Sequence, residues 1–169
     1  MYGNSKICLI SSQIPNWLSK SESLFICTRF IGTTPNSTTI YQVICSIVRQ
    51  IHLFDNMPMP RSFYKLKEKF KYFITHVPDE HVIVLILDAV DQLDSLHNAL
   101  NFNWLPLYLP KNVKIILTAT LHPALQTKLH WLIDQENHFL EIEPFHPRDN
   151  FKLFQTLMGV HKRTLIQAQ

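Results

Sequence analysis

"VIVLILDAVDQLD", residues 82–94, decides how this chain is read. Six apolar residues run without alternation into Asp88, and Asp91 comes three positions later. A strand that is apolar at every position is covered on both faces, as strands of parallel sheets are. Parallel strands are joined by long crossovers, so the partners of this strand must lie well away from it in sequence. "SLFICTRFI" (23–31) and "NVKIILTAT" (112–120) qualify, each rich in β-branched or aromatic residues. "HFLEIEPF" (138–145) alternates weakly and reads as a fourth strand, with 138–143 as its paired part.

Helical segments separate these strands. The turn "GTTPNSTT" (32–39) places Ser37 or Thr38 to cap a helix beginning at about residue 40. In that helix Ile40, Val43, Ile44, Ile47, Val48 and Ile51 recur at helical spacing on one face. "NMPMP" breaks the chain, and a second amphipathic helix is expected over 61–77, with Phe63, Leu66, Phe70, Phe73 and Ile74 on its apolar side. Residues 121–133 read as a helix, with Pro123 tolerable in the first turn. A last helix starts near Pro147. The expected fold class is α/β: a three-layer parallel sheet with helices on both faces.

Composition narrows the functional classes. A chain of 169 residues can bury a real core. Apolar residues at 46% and charged residues at 17% exclude a disordered chain. A net charge of +3 is too small to argue for nucleic acid or an anionic membrane. Cys8, Cys27 and Cys45 are odd in number and contain no CxxC pair, which points to a reduced protein without a cysteine metal site. No apolar run approaches the roughly 20 residues that span a bilayer, and "MYGNSKICLISS" is too weakly apolar for a secretory signal. The expected location is cytoplasmic.

Several side chains carry two readings each. Ligands of open parallel sheets bind beyond the carboxyl ends of strands, so a carboxylate at Asp88 can hold magnesium against the β- and γ-phosphates of a nucleotide. Asp91 could then orient or deprotonate the attacking water. The other reading is that Asp88 merely starts a turn. Thr118 and Thr120, at the end of the next strand, either sense a γ-phosphate or cap the segment from 121. Arg29, inside its strand, must reach phosphate, pair with a carboxylate or snorkel at an edge, and the structural role is favoured. Arg61, Lys65, Lys67, Lys69 and Lys71 are interleaved with Phe63, Tyr64, Phe70 and Tyr72, a pattern seen in nucleic-acid binding. The same aromatics form a core stripe and Glu68 interrupts the charge, so a solvated helix face is the better reading and nucleic acid is not an expected partner. The nine histidines fall in no HExxH motif, and no GxSxG elbow is present.

"RFIGTTPNSTTIYQVICSIVRQI" (29–51), "VIVLILDAVDQL" (82–93) and "NWLPLYLPKNVKIILTAT" (103–120) occur in an order that resembles the NACHT-type signalling NTPase domain, of the STAND class, found in NACHT and WD-repeat proteins. The resemblance implies a P-loop NTPase-like sheet, with 1–145 as a partial NACHT core and 146–169 as the start of the following helical domain. It implies that Asp88 is the magnesium-holding Walker B aspartate, that Ala89 is the small residue after it, and that Asp91 is the second acidic position. Thr118 and Thr120 match the sensor region, and Arg29 matches the strand before the "GT-P-S" turn. Gln92 departs from the acidic residue that many NACHT domains carry there, which argues against hydrolysis.

The family's phosphate loop, GxxxxGK[ST], should precede "NWLS" (16–19). "MYGNSKICLISSQIPNWLS" offers only Gly3, with Lys6 too close behind it and Ile7 where a Ser or Thr should stand. Glycines let backbone amides curl around a phosphate, and side chains block that approach. The stretch resembles a P-loop from which a few residues, including a glycine, are missing, although a chance N-terminus reads similarly. The chain is therefore expected to be a fragment lacking the first central strand, with Lys6 as the remaining phosphate candidate. Implied cofactors are magnesium and ATP or GTP in an intact relative, and none in this chain. Implied partners are proteins or a second copy, and a non-catalytic scaffold is the alternative to an NTPase.

Overall fold

The computed structural model describes residues 23–51, 59–120, 123–133, 139–142 and 146–160. The chain divides into two compact units, Met1–Asp134 and Gln135–Gln169. The first holds β1 (Leu24–Phe30), α1 (Ile40–Ile51), α2 (Phe63–Thr75), β2 (Val82–Asp88), β3 (Val113–Leu117) and α3 (Pro123–Leu132). The second holds α4 (Pro147–Val160).

The sheet is parallel, in the order β1–β2–β3. This is an α/β, P-loop-like arrangement of strands and helices. The unbroken apolar run of β2 puts it in the centre, where Ile83, Leu85 and Leu87 are fully buried. Neighbouring strands keep strict register, with Leu24 beside Val82 and Ile83 beside Val113. Ile26, Val84 and Ile86 share one face with Leu24, Phe30 and Val82 in an apolar cluster. Cys27 and Arg29 lie on the opposite face and bond to α1.

The helices track their apolar stripes. In α1, Ile40, Val43, Ile44, Ile47 and Ile51 are buried, and in α2, Leu66, Phe70, Phe73 and Ile74. Each such side chain contributes about 1.5–3 kcal/mol of transfer free energy when fully removed from water. Tyr64, Lys65, Glu68, Lys69 and Tyr72 stay exposed and form the solvated face of α2, while Phe70 and Phe73 are buried. Trp104 is completely buried between Phe70 and Phe102, and its indole N–H donates to Ala99 O at 2.8 Å.

At the amino ends of the strands, the Asn112 amide donates to three carbonyls: Val77 at 3.3 Å, Pro78 at 2.9 Å and His81 at 2.8 Å. Ile83 N returns a bond to Asn112 O at 2.9 Å, and Ser23 Oγ donates to Glu80 O. These bonds fix where β1, β2 and β3 begin.

Three expectations need correction. Residues 139–142 form no strand, with Leu140 85% and Ile142 52% exposed. Period-two alternation describes a face that wants covering, and it does not supply the neighbouring strand that a ladder requires. The remainder of the expected strand, 138 and 143–145, lies outside the described residues. Ser37 and Thr38 do not cap α1. Ser37 Oγ closes a short 3-10 turn, Pro35–Ser37, by bonding both Thr34 N and Thr34 O, while Thr38 Oγ1 donates to Pro35 O. Finally, β3 stops at Leu117, which frees Thr118–Thr120 to bond around the end of β2.

No helix among the described residues is long and apolar enough to cross a membrane.

Candidate functional site

The carboxyl ends of the three strands converge on Asp88. Its residue is 4% exposed, and among the described residues it is the one buried charged side chain. Ionised carboxylates are costly to bury without partners. Thr118 supplies one: its hydroxyl donates to Asp88 Oδ1 and accepts from Ala89 N at 3.0 Å. The backbones run together here as well. Ile31 N donates to Asp88 O at 3.0 Å, Thr118 N to Leu87 O at 3.0 Å and Val90 N to Thr118 O at 2.9 Å.

Past Asp88 the chain leaves the sheet sharply. Ala89 adopts a left-handed conformation, φ 58° and ψ 51°, and opens a 3-10 turn over Val90–Gln92. A non-glycine residue in that region costs roughly 1–2 kcal/mol. The turn packs against Gly32, which has φ +80°. A methyl group added there would lie 3.0 Å from Gln92 Cβ, so both the backbone and the close approach favour glycine.

Asp91 sits in this turn with both carboxylate oxygens engaged. Oδ1 accepts from Thr120 N at 3.1 Å and Oδ2 from Gln92 Nε2 at 2.8 Å. It therefore ties the end of β3 to the turn after β2. Asp94 repeats the device toward α1: its carboxylate accepts from Thr39 Oγ1 at 3.3 Å and its N–H donates to Thr38 O at 3.0 Å.

Of the residues singled out in the sequence, Asp88, Asp91, Thr118 and Thr120 are brought together. Arg29 is not. Its guanidinium is turned onto α1, donating to Ser46 Oγ, Ser46 O and Gln50 Oε1, each at 2.6 Å, and to Thr28 O at 2.7 Å. The register explains this. Phe30 pairs with Asp88 and Arg29 with Leu87, and successive strand side chains point to opposite faces. Lys6 lies outside the described residues. Sequence reasoning missed Gly32 and Gln92 as a close-packed pair. The glycine in "IGTT" was a signal for a special backbone, but nothing local named its partner.

Asp88 suits a hard, oxygen-loving cation. Magnesium is typically held by one or two carboxylates plus substrate phosphates, rather than by an all-protein cage. No group of three or more His, Cys, Asp or Glu among the described residues could hold a metal on its own. The carboxylate and hydroxyl oxygens at this end of the sheet are of the kind that magnesium takes.

Comparison with known proteins bears on this geometry. The chain is 31% identical over 121 residues to NACHT and WD repeat domain-containing protein 2 of Mus musculus, covering 69% of this chain and 7% of that protein. It is 28% identical over 168 residues to NACHT domain- and WD repeat-containing protein 1 of Homo sapiens, covering 94% of this chain and 10% of that protein. The chain is a relative of the NACHT and WD repeat domain-containing proteins. The human protein 2 matches at 30% over the same length as its mouse counterpart. No family model matches the chain, and no solved structure does. The chain spans no more than 11% of the length of the curated relatives it matches.

Proposed function

We propose that this chain carries the Walker B and sensor half of a NACHT-type nucleotide site and does not by itself bind or hydrolyse nucleotide. The observation that carries this reading is the buried Asp88 at the end of the central strand, held by Thr118 just past the end of β3. A polar group so placed is the expected partner of a ligand at the carboxyl edge of a parallel sheet. In the proposal Asp88 holds magnesium, and Thr118 and Thr120 face the phosphates. Bound magnesium would supply neutralisation of charge on the β- and γ-phosphates. The protein's own part is to keep the Asp88 carboxylate oriented and dry. The three glycines, at 3, 32 and 159, cannot form GxxxxGK[ST], so the amide cradle that supplies most phosphate contacts is lacking from this sequence.

Isothermal titration of ATP or GTP with magnesium tests this. The expected result is no saturable micromolar site. A micromolar site that vanishes in Asp88→Ala overturns the proposal.

The second reading, a non-catalytic scaffold that works through protein partners or a second copy, is favoured by Asp91. A carboxylate whose two oxygens are already bonded to Thr120 N and Gln92 Nε2 is poorly placed to take a proton from water. Supply of an intact phosphate loop separates the readings. In a chain rebuilt with GxxxxGK[ST], multiple-turnover phosphate release supports a nucleotidase. Binding without release supports the scaffold.

A further inference from the structure

A second polar site lies on the other side of β1. Arg29 and Arg49 line a cavity of about 250 Å³ bounded by the end of β1, the Pro35–Ser37 turn and α1. Asn36, Gln42 and Ser46 add amide and hydroxyl groups to the wall, and among the described residues no aspartate or glutamate lines it. Gln42, Ser46 and Arg49 fall on one stripe of α1, so the helix presents them together.

Arg29 is fixed by four hydrogen bonds, all to neutral acceptors. Its position is set while its charge stays uncompensated. Among the described residues neither Arg29 nor Arg49 joins an ion pair, and the pair present is Lys67–Glu68. A guanidinium has five N–H donors, so Arg29 retains one. The Ser46 hydroxyl is spent on Val43 O, and two uncompensated guanidiniums beside the Asn36 and Gln42 amides match a small, doubly charged, multi-acceptor anion.

We propose that this cavity binds a phosphate dianion, either free inorganic phosphate or the head of a phosphate monoester. Its volume falls below the roughly 300–1,000 Å³ of drug-sized pockets, so it takes the head group and leaves a nucleoside outside. It is separate from Asp88. Arg29 pairs in register with Leu87 while Phe30 pairs with Asp88, which places the Arg29 side chain on the opposite face of the sheet.

The test is titration of inorganic phosphate into the full chain without magnesium, at constant ionic strength in chloride, monitored by phosphorus NMR linewidth. Saturable binding is expected. Arg49→Gln, at an exposed position, should weaken it about tenfold or more with the circular dichroism spectrum unchanged. Asp88→Asn should leave it unaltered. Phosphoserine as a second probe distinguishes the sources: equal affinity identifies the free ion, tighter binding identifies a monoester, and either supports the proposal. Absence of saturation, or full affinity in Arg49→Gln, overturns it. Loss of binding in Asp88→Asn also overturns it, by moving the ion to the carboxyl edge of the sheet, while the proposed nucleotide half-site stands.

Discussion

The same three strands are tied together differently at their two ends. At the amino ends Asn112 reaches the carbonyls of Val77, Pro78 and His81, and every group in the knot is neutral. At the carboxyl ends the knot is built on Asp88 and Asp91, which take bonds from Thr118, Thr120 and Gln92. A neutral amide bonded to backbone is an inexpensive way to align strands. A carboxylate that is 4% exposed is an expensive one, because its desolvation offsets much of what its hydrogen bonds contribute. The amino end is organised for stability. The carboxyl end accepts a stability cost, and such costs concentrate at functional sites.

The largest effect should come from the neutral end. Asn112→Ala leaves three carbonyls short of a donor and should destabilise the first unit by about 2–3 kcal/mol, read as a shift in the urea midpoint. A change under about 0.5 kcal/mol, the size of an ordinary surface substitution, would break the comparison. Thr118→Val strips the hydroxyl joining Asp88 to Ala89 N and should cost about 1–2 kcal/mol. Asp88→Asn should leave stability unchanged or raise it by about 1 kcal/mol, because a buried charge is replaced by a neutral group of the same shape. A loss of about 2 kcal/mol or more would make Asp88 a structural residue and erase the contrast between the ends. An effect of similar small size belongs to Ala89→Gly, which relieves a left-handed alanine and should stabilise by about 0.5–1 kcal/mol in the same assay.

How much was legible in the sequence depends on range. The α1 helix runs Ile40–Ile51 as its isoleucine spacing predicts, and β2 runs Val82–Asp88 as its apolar run predicts. Both signals are local. Asp88 stood out because a charge closing such a run has nowhere apolar to go. The partner of Thr118 did not stand out, since more than one reading of that hydroxyl was chemically reasonable and only strand register chooses among them. Arg29 had both a structural and a phosphate reading, and the face on which it bonds Ser46 and Gln50 depends on register with β2. The weak alternation at 138–145 misled for the opposite reason: the local pattern is there, and residues 139–142 still form no strand.

The parallel sheet has a kinetic consequence. Leu24 must find Val82 and Ile83 must find Val113, with α1 and α2 lying inside the first of those gaps. No hairpin joins any two of the three strands, so no part of the sheet can form early from residues close in sequence. Chains dominated by such distant pairings fold slowly, because loop closure is opposed by entropy before any ladder bond rewards it. The helical pair α1 and α2, consecutive in the chain, is the element able to assemble first. The strands would then be recruited onto it, and Asp88 would be desolvated only as β3 brings Thr118 alongside.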